Sequence, residues 1–312
     1  MRSGILSKPI PYIALILAHL IWGANFVVAK VTLQEFPPMT LAFLRFSLAS
    51  LFLAPFFLAE TKKVKVDKSD YPKLVAIGIL IITLNIAFFF EGIKKTTAIN
   101  ASVLTLIIPM LSVLLGWWFL KEKIYLVNLL GIFVGLIGAV IIIGLPEILV
   151  GEFLPQAMLG NVLVLLAATF WVIGAVIARG MLKKYSSLVI TAIAFMTGTV
   201  TFIIPALSEY FKNPAFISQI TILGLLGLTY MTLLSSISAY FLFEWGLAKV
   251  GVIKADLLQY IEPFVAAGLA VLILGEQITI PLIVGAILII AGVYLGTLSQ
   301  KPHHRHHKAH RI

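Results

Sequence analysis

The sequence predicts an all-α integral membrane protein with ten transmembrane helices, arranged as two inverted five-helix repeats. Three observations carry this prediction: the composition, the spacing of the apolar segments, and an internal repeat. The 312 residues are 61% apolar and only 12% charged, with a mean hydropathy of +1.08. A soluble domain is about half apolar and about a quarter charged. The composition therefore indicates that lipid is the main solvent of this chain.

The apolar residues fall into segments of the length that a bilayer requires. A membrane helix needs about 20 mainly apolar residues. Segments of this kind lie at 11–29, 39–59, 73–90, 98–119, 125–144, 158–178, 187–207, 221–243, 252–274 and 281–298. The breaks between them carry turn or charge signals, such as Pro37-Pro38 and Lys183-Lys184. Alternating strand patterns are absent, so a barrel is not predicted.

The basic residues separate the two sides of the predicted membrane protein. Most of them fall at the N-terminus, in 62–73, 121–123, 179–184 and 249–254, and after residue 300, whereas the other side receives Lys30, Lys94, Lys95 and Lys212. Lysine and arginine collect in cytoplasmic loops. We therefore expect a multi-pass protein of the cell inner or plasma membrane with both termini in the cytoplasm. The same bias explains the net charge of +10 without nucleic acid.

An internal repeat divides the chain. An ungapped register aligns Gly92 with Gly246 and continues through Pro109 with Pro263 to Gly138 with Gly292. In the first span of each half, Trp22 matches Trp171 and Lys30 matches Arg179. We assign the repeats to residues 1–150 and 151–300, followed by a basic, histidine-rich cytoplasmic tail at 301–312. Five helices per copy is an odd number, so the second copy enters from the opposite face.

At this point the chain resembles the drug/metabolite transporter superfamily, specifically the EamA-type transporters. The resemblance covers about residues 11–298. The motifs that carry it are Trp22-Gly23 with Lys30, Pro38 with Arg45-Phe46, Ala101 through Pro109 to Leu120-Lys121-Glu122, Gln259-Tyr260-Ile261-Glu262-Pro263, and Leu274-Gly275-Glu276. It implies secondary transport, with export of amino acids and related metabolites. Ile108 stands where the second copy has Glu262, so site chemistry need not be symmetric.

Polar residues inside the predicted spans are candidates for substrate binding, because a charged side chain in hydrocarbon costs at least about 2.5 kcal/mol. On span 9, Asp256, Gln259, Tyr260 and Glu262 precede Pro263. Pro263 cannot donate a backbone hydrogen bond, which predicts a free carbonyl near Gln259. That carbonyl and a carboxylate would suit an ammonium group or a proton. The alternative is a kinked helix whose polar residues pack on a neighbour.

Spans 1, 6 and 8 add a histidine and aromatic side chains. His19, Trp22 and Asn25 lie on span 1, Trp171 on span 6, and Tyr240 and Glu244 on span 8. We expect His19, Glu244 and Glu262 to be candidates for proton coupling, since histidine titrates near neutral pH. The alternatives are a histidine bonded to another helix, tryptophans that only fill space, and a Glu244 that lies at the cytoplasmic interface.

Spans 2 to 4 complete the candidates. Asn85 and Phe89 on span 3 and Asn100 and Thr105 on span 4 are further substrate-binding candidates. Pro109 and Pro263 are expected to bend spans 4 and 9 around a central cavity. Arg45 is expected to extend to the outer interface in a structural role.

The remaining patterns limit the function classes. The chain has no cysteine, no P-loop and no nucleophile elbow, so neither a cofactor nor a metal site nor an enzyme is predicted. Two alternatives stay open: an intramembrane enzyme that uses His19 with Glu262 or Glu244, and a non-transporting scaffold or sensor. The expected partners are a small-molecule substrate and the lipid bilayer. The glycine-rich faces of span 5 (Gly131, Gly135, Gly138) and span 10 (Gly285, Gly292, Gly296) are predicted to pack either within a half or between protomers, and in the second case they would form a homodimer.

Overall fold

The structure is a computed structural model that describes residues 9–62, 64–120, 124–143, 155–250 and 258–297. These residues are helical, with turns between helices and no strand among them. In chain order the helices are α1 (Ile10–Thr32), α2 (Pro38–Thr61), α3 (Lys68–Lys95), α4 (98–120), α5 (Leu126–Ile143), α6 (Pro155–Met181), α7 (Ser187–Lys212), α8 (222–250), α9 (Ile261–Leu274) and α10 (Ile280–Thr297).

Eight of these helices, α1 to α8, are long and apolar enough to cross a membrane. The last two are apolar but shorter, at Ile261–Leu274 and Ile280–Gly296. The predicted span 9 began at residue 252, and its first part falls within 251–257, outside the described residues. The prediction of helices at all ten places agrees with the structure, while only eight of them reach full spanning length in the described part of the chain.

Helix ends are set by local sequence. Pro38 occupies the first position of α2, where its missing N–H costs nothing. The Thr97 hydroxyl caps α4 by accepting from the Asn100 N–H, and the Thr221 hydroxyl caps α8 by accepting from the Leu223 N–H.

The helices pack in a regular set of pairs. Helix α2 packs on α7 and α5 on α10, while α1 packs on α8 and α9 in the way that α6 packs on α3 and α4. The counterparts in the two halves are α1 and α6, α2 and α7, and so on to α5 and α10. When each helix is exchanged with its counterpart, the same set of pairs results. Each of these pairs joins a helix of the first half to a helix of the second half.

Carboxylates of one half cap helices of the other. Glu209, near the end of α7, accepts hydrogen bonds from the Met39 and Thr40 N–H groups of α2 at 3.1 and 2.7 Å. Glu276 accepts from Ala98 N and Ile99 N of α4 at 2.7 and 3.0 Å. A carboxylate at a helix N-terminus also interacts favourably with the helix dipole. These hydrogen bonds join the ends of helices from the two halves.

Two further polar contacts join the loops to helix starts. The Thr221 backbone N–H and hydroxyl both donate to Glu35, and they hold the pKa of the Glu35 carboxyl below its usual value. The Lys184 ammonium donates to Asp70 at 2.9 Å, and this bond raises the pKa of Lys184. Tyr185 donates its hydroxyl to the same Asp70 oxygen at 2.8 Å.

Glycines allow α5 and α10 to touch backbone to backbone. A Cβ added at Gly131 would lie 2.3 Å from Gly296 N and 2.6 Å from Gly292 O, and one added at Gly138 would lie 2.6 Å from Gly285 O. The glycine faces expected to join two protomers thus meet each other within one chain. The homodimer stays a prediction, and it would have to use other faces of these helices.

The regular α-helix is interrupted at several places. Helix α4 tightens to a 3-10 turn at Thr105–Ile107, immediately before Pro109. Pro263 lies in the first turn of α9, and Gln259 O, one turn earlier, accepts from Glu262 N at 3.0 Å. The expectation of a free carbonyl at Gln259 is therefore wrong, because a tight turn satisfies it. Helices α3, α8 and α9 contain π-helical segments at Ile79–Leu84, Tyr230–Ser238 and Ala270–Leu274.

Candidate functional site

The centre of the candidate site is a buried pair of titratable groups. His19 Nδ1 on α1 and Glu262 Oε1 on α9 lie 2.7 Å apart. The two residues are only 2% and 7% exposed. Gly23 brings the helices this close, since a Cβ there would lie 2.9 Å from Glu262 O. The pair holds a dissociable proton between a carboxylate and an imidazole inside the bundle.

Aromatic rings surround this pair. The ring centroids of His19 lie 5.7 Å from those of both Trp22 and Phe243. Trp22 stands edge-on to Tyr240 at 5.5 Å, and Trp171 stands edge-on to Tyr240 at 6.2 Å. The wall is thus built from helices α1, α6 and α8. Aromatic rings in these geometries form a rigid surface that suits an apolar side chain or a cation.

Several polar atoms at the site lack hydrogen bonds. His19 Nε2 and Asn25 Oδ1 on α1 and Thr232 Oγ1 on α8 are buried without a partner among the described residues. A buried polar group without a partner costs about 1–3 kcal/mol. In native proteins such groups are uncommon and often mark a place where a ligand or water binds.

Arg45 is the main correction to the sequence-based expectation. It does not extend to the outer interface but is 4% exposed, within the bundle. Its Nε donates to Ser236 Oγ at 2.8 Å, and its Nη2 to Ser235 Oγ at 3.4 Å. The expectation was wrong because the serines that receive it lie on α8, far away in sequence. A charged residue inside the apolar segment 39–59 was the signal that pointed to a function.

The other residues of α8 link the site to its neighbours. Trp22 Nε1 donates to Ser235 O at 3.1 Å, so α1 is tied to the π-helical segment of α8. Glu244 lies near the Ser187 and Thr191 hydroxyls, at the start of α7. It is half-buried there rather than free at a surface, and it lies one helical turn beyond Tyr240. Phe243, next to it, belongs to the aromatic wall and was not singled out from the sequence.

Four of the remaining candidates, Asn85, Phe89, Asn100 and Thr105, make their described contacts away from this cluster. Asn85 donates to Ala167 O at 2.9 Å and so ties α3 to α6. Thr105 donates to Ser102 O of its own helix, and Asn100 sits in the capped first turn of α4. Phe89 contacts Phe26 of α1 at 5.5 Å. Gln259 and Tyr260 form the turn before α9, and Asp256 lies outside the described residues.

Two cavities accompany these contacts. A groove of about 360 Å³ runs between α2 and α8, lined by Leu48, Leu51, Phe52, Thr229, Thr232 and Leu233. A smaller apolar cavity of about 30 Å³ lies between α4 and α5. The described residues contain no cluster of three or more side chains that would hold a metal ion.

Comparison with known proteins identifies the family. The EamA-like transporter family matches residues 9–144 and again residues 158–298. The chain belongs to the EamA-like transporter family. This places it in the drug/metabolite transporter superfamily, as the motifs from Trp22-Gly23 to Leu274-Gly275-Glu276 indicated. It is a multi-pass membrane transporter and not an enzyme.

Several relatives align along nearly the whole of this EamA-like transporter. An uncharacterized transporter of Archaeoglobus fulgidus is 32% identical over 290 residues, covering 93% of this chain and 98% of its own. A protein of Salmonella typhimurium named a probable amino-acid metabolite efflux pump is 29% identical and covers 90% and 92%. A solved crystal structure with a TM-score of 0.60 and 19% identity covers 94% of this chain and 98% of its own, which shows the shared fold.

Proposed function

We propose that this EamA-like transporter is a secondary exporter of small organic metabolites, most of all amino acids or related amphiphiles. The observation that carries the proposal is the buried His19–Glu262 pair, enclosed by Trp22, Tyr240 and Phe243. A carboxylate beside aromatic faces is suited to an ammonium group attached to an apolar side chain. The name of the Salmonella relative, a probable amino-acid metabolite efflux pump, supports the same substrate class.

The transport cycle that we propose is alternating access by two inverted five-helix repeats. Two features support it: the family matches two successive stretches of the chain, and the helix pairs exchange as two equivalent halves would. In such folds substrates bind near the middle of the membrane, where the repeats meet. The site lies between α1 of the first half and α8 and α9 of the second, which supports a binding place where the repeats meet.

Proton coupling follows from the chemistry of the pair. Glu262 can accept a proton, or its carboxylate can form an ion pair with a substrate ammonium. It cannot do both at once, because a protonated carboxyl group carries no charge. His19 Nδ1 lies 2.7 Å from the carboxylate, so His19 can take up the proton that the ammonium displaces from Glu262 and pass it on to water. Binding of a cationic amine would then release a proton, and the two would travel in opposite directions across the membrane.

We propose that the protein lies in the inner or plasma membrane of the cell. In the orientation that we propose, both termini are in the cytoplasm. The basic residues support it, because segments such as 62–68 and 183–184 would face the cytoplasm. The end of the bundle that carries Glu35, Glu209 and Glu276 would then face outward.

The test is transport by the purified protein in lipid vesicles. Vesicles loaded with one unlabelled amino acid at millimolar concentration are diluted into the same amino acid with a radiolabel, for each member of a panel. We expect transient accumulation of label for at least one apolar or aromatic amino acid, and none in empty vesicles. Absence of exchange across amino acids, their amines and related metabolites would refute the proposed function.

A further inference from the structure

Arg45 is a buried cation without a carboxylate partner. The ion pairs among the described residues join His19 to Glu262, Lys95 to Glu91 and Lys184 to Asp70, and Arg45 takes part in none of them. Its recorded hydrogen-bond acceptors, Ser235 Oγ and Ser236 Oγ, are neutral. Arg45 lies seven residues after Pro38, the start of α2, which puts it about 10 Å along the helix. A guanidinium at that depth normally pairs with an anion.

The fold does not need this charge. The register that matches Trp22 with Trp171 puts Ala194 of α7 where α2 has Arg45, with Phe195 in the place of Phe46. The register that matches Gly92 with Gly246 puts Ile81 and Ile82 where α8 has its two serines. Helix α7 packs on the π-helical segment of α3 just as α2 packs on that of α8. At these matched positions one crossing has apolar side chains, and the other has a cation and two hydroxyl groups.

A groove between α2 and α8 passes within about one helical turn of the polar crossing. The groove of about 360 Å³ is lined by Leu48, one helical turn after Arg45, and by Thr232 and Leu233, about one turn before the two serines. The Thr232 hydroxyl on its wall is buried and has no hydrogen-bond partner. Tyr240, a member of the aromatic wall, lies one helical turn after Ser236 on α8, so Arg45 contacts α8 one turn away from that wall. A lipid headgroup would have to leave the interface to reach this depth.

We propose that Arg45 binds the carboxylate of the transported substrate, with the Ser235, Ser236 and Thr232 hydroxyls beside it. This inference rests on the proposed function and narrows it: the substrate carries a carboxylate as well as an ammonium group. Guanidinium and carboxylate form paired, charge-assisted hydrogen bonds that an amide does not reproduce. A site with Arg45 at one side and Glu262 at the other is complementary to a zwitterion.

The test compares ligands that differ only at the carboxyl group. Binding of leucine and of phenylalanine is measured by calorimetry on wild-type protein in phosphatidylcholine nanodiscs, beside their primary amides and decarboxylated amines. We expect wild-type protein to bind the acids about tenfold to a hundredfold more tightly than the amides, the range for a hydrogen bond to a charged group. The substitution Arg45→Gln should bring this ratio close to one, and Arg45→Lys should keep part of it.

The control is Arg179→Gln, which removes the same charge from an exposed position at the end of α6 and should leave the ratio unchanged. If Arg45→Gln does not fold, the ratio of acid affinity to amide affinity in wild-type protein and in Arg45→Lys decides whether Arg45 binds the carboxylate. Equal binding of acids and amides by wild-type protein would overturn the carboxylate site. It would remain compatible with the proposed function as an exporter of amines. Equal losses for acid and amide in Arg45→Gln would assign Arg45 a structural role only. If no amino acid or amine binds at all, the proposed function itself fails.

Discussion

Replacing Glu262 by Gln is expected to lower the rate of amino-acid exchange about tenfold to a hundredfold. The amide keeps the shape of the side chain and can still accept a hydrogen bond, but it carries no charge and binds no proton. The loss corresponds to a hydrogen bond between charged partners in a buried site. The exchange rate in vesicles measures it, with an imposed pH gradient as a second condition. Because amino-acid exchange moves no net proton, the gradient is applied to empty vesicles, where it should drive net uptake by wild-type protein and not by the variant.

Two further variants separate this effect from misfolding. Glu91→Gln removes a carboxylate that pairs with Lys95 on the same helix at a partly exposed place, so its exchange rate should match that of the wild type. His19→Gln should slow exchange, and the double variant should be no slower than Glu262→Gln, because the two groups act as one unit. Additive losses in the double variant would contradict the shared proton.

Replacing Gly131 by Ala is expected to destabilise the fold by about 3 kcal/mol, the upper range for overpacking a core. The new Cβ would lie 2.3 Å from Gly296 N and 2.6 Å from Gly292 O, and both are backbone atoms that cannot rotate away. Helices α5 and α10 would have to separate along their whole contact. Thermal unfolding in detergent, followed by the fraction that stays monodisperse on size-exclusion chromatography, measures the loss.

Gly268→Ala is the matched control, because a Cβ at that position in α9 meets no atom within 4 Å. It should leave stability unchanged or raise it slightly, since alanine favours a helix over glycine by about 1 kcal/mol. A Gly131→Ala protein with unchanged stability but an altered oligomeric state would mean that these glycines face another protomer. That result would restore the homodimer predicted through spans 5 and 10.

The sequence predicts the position of every helix because lipid leaves one strong signal, a long apolar segment. Predicted and observed bounds differ most where a helix continues past the apolar segment, as at 73–90 against Lys68–Lys95. The internal register singled out glycines that contact each other across helices, but the contact of Gly131 with Gly292 joins the two halves, whereas the sequence predicted packing within a half or between protomers. It does not reveal π-helical segments such as Tyr230–Ser238, since these arise from packing rather than from residue preference.

The candidate site was predictable in part. Sequence placed His19, Trp22, Tyr240 and Glu262 inside the membrane because polar and aromatic residues are conspicuous there. The contact between His19 and Glu262 and the position of Arg45 depend on which helices become neighbours. Spacing along one helix cannot show that, so Asn85 and Thr105 were proposed for the site although their hydrogen bonds serve helix packing and a helix backbone.

The central claim is that the site opens alternately to the two sides of the membrane. It can be tested most directly with single cysteines, because the chain itself contains none. Asn25→Cys puts a single thiol one helical turn after Trp22 on α1, and Val200→Cys, at a position 65% exposed in the middle of α7, is the control facing lipid. A thiol reacts as its thiolate, which forms in water and not in hydrocarbon. A membrane-impermeant thiosulfonate should modify Asn25→Cys from each side of oriented vesicles, more slowly when a transported amino acid is present, and should leave Val200→Cys unmodified. Failure of folded Asn25→Cys to react from either side, or a rate that the amino acid does not change, would contradict the account.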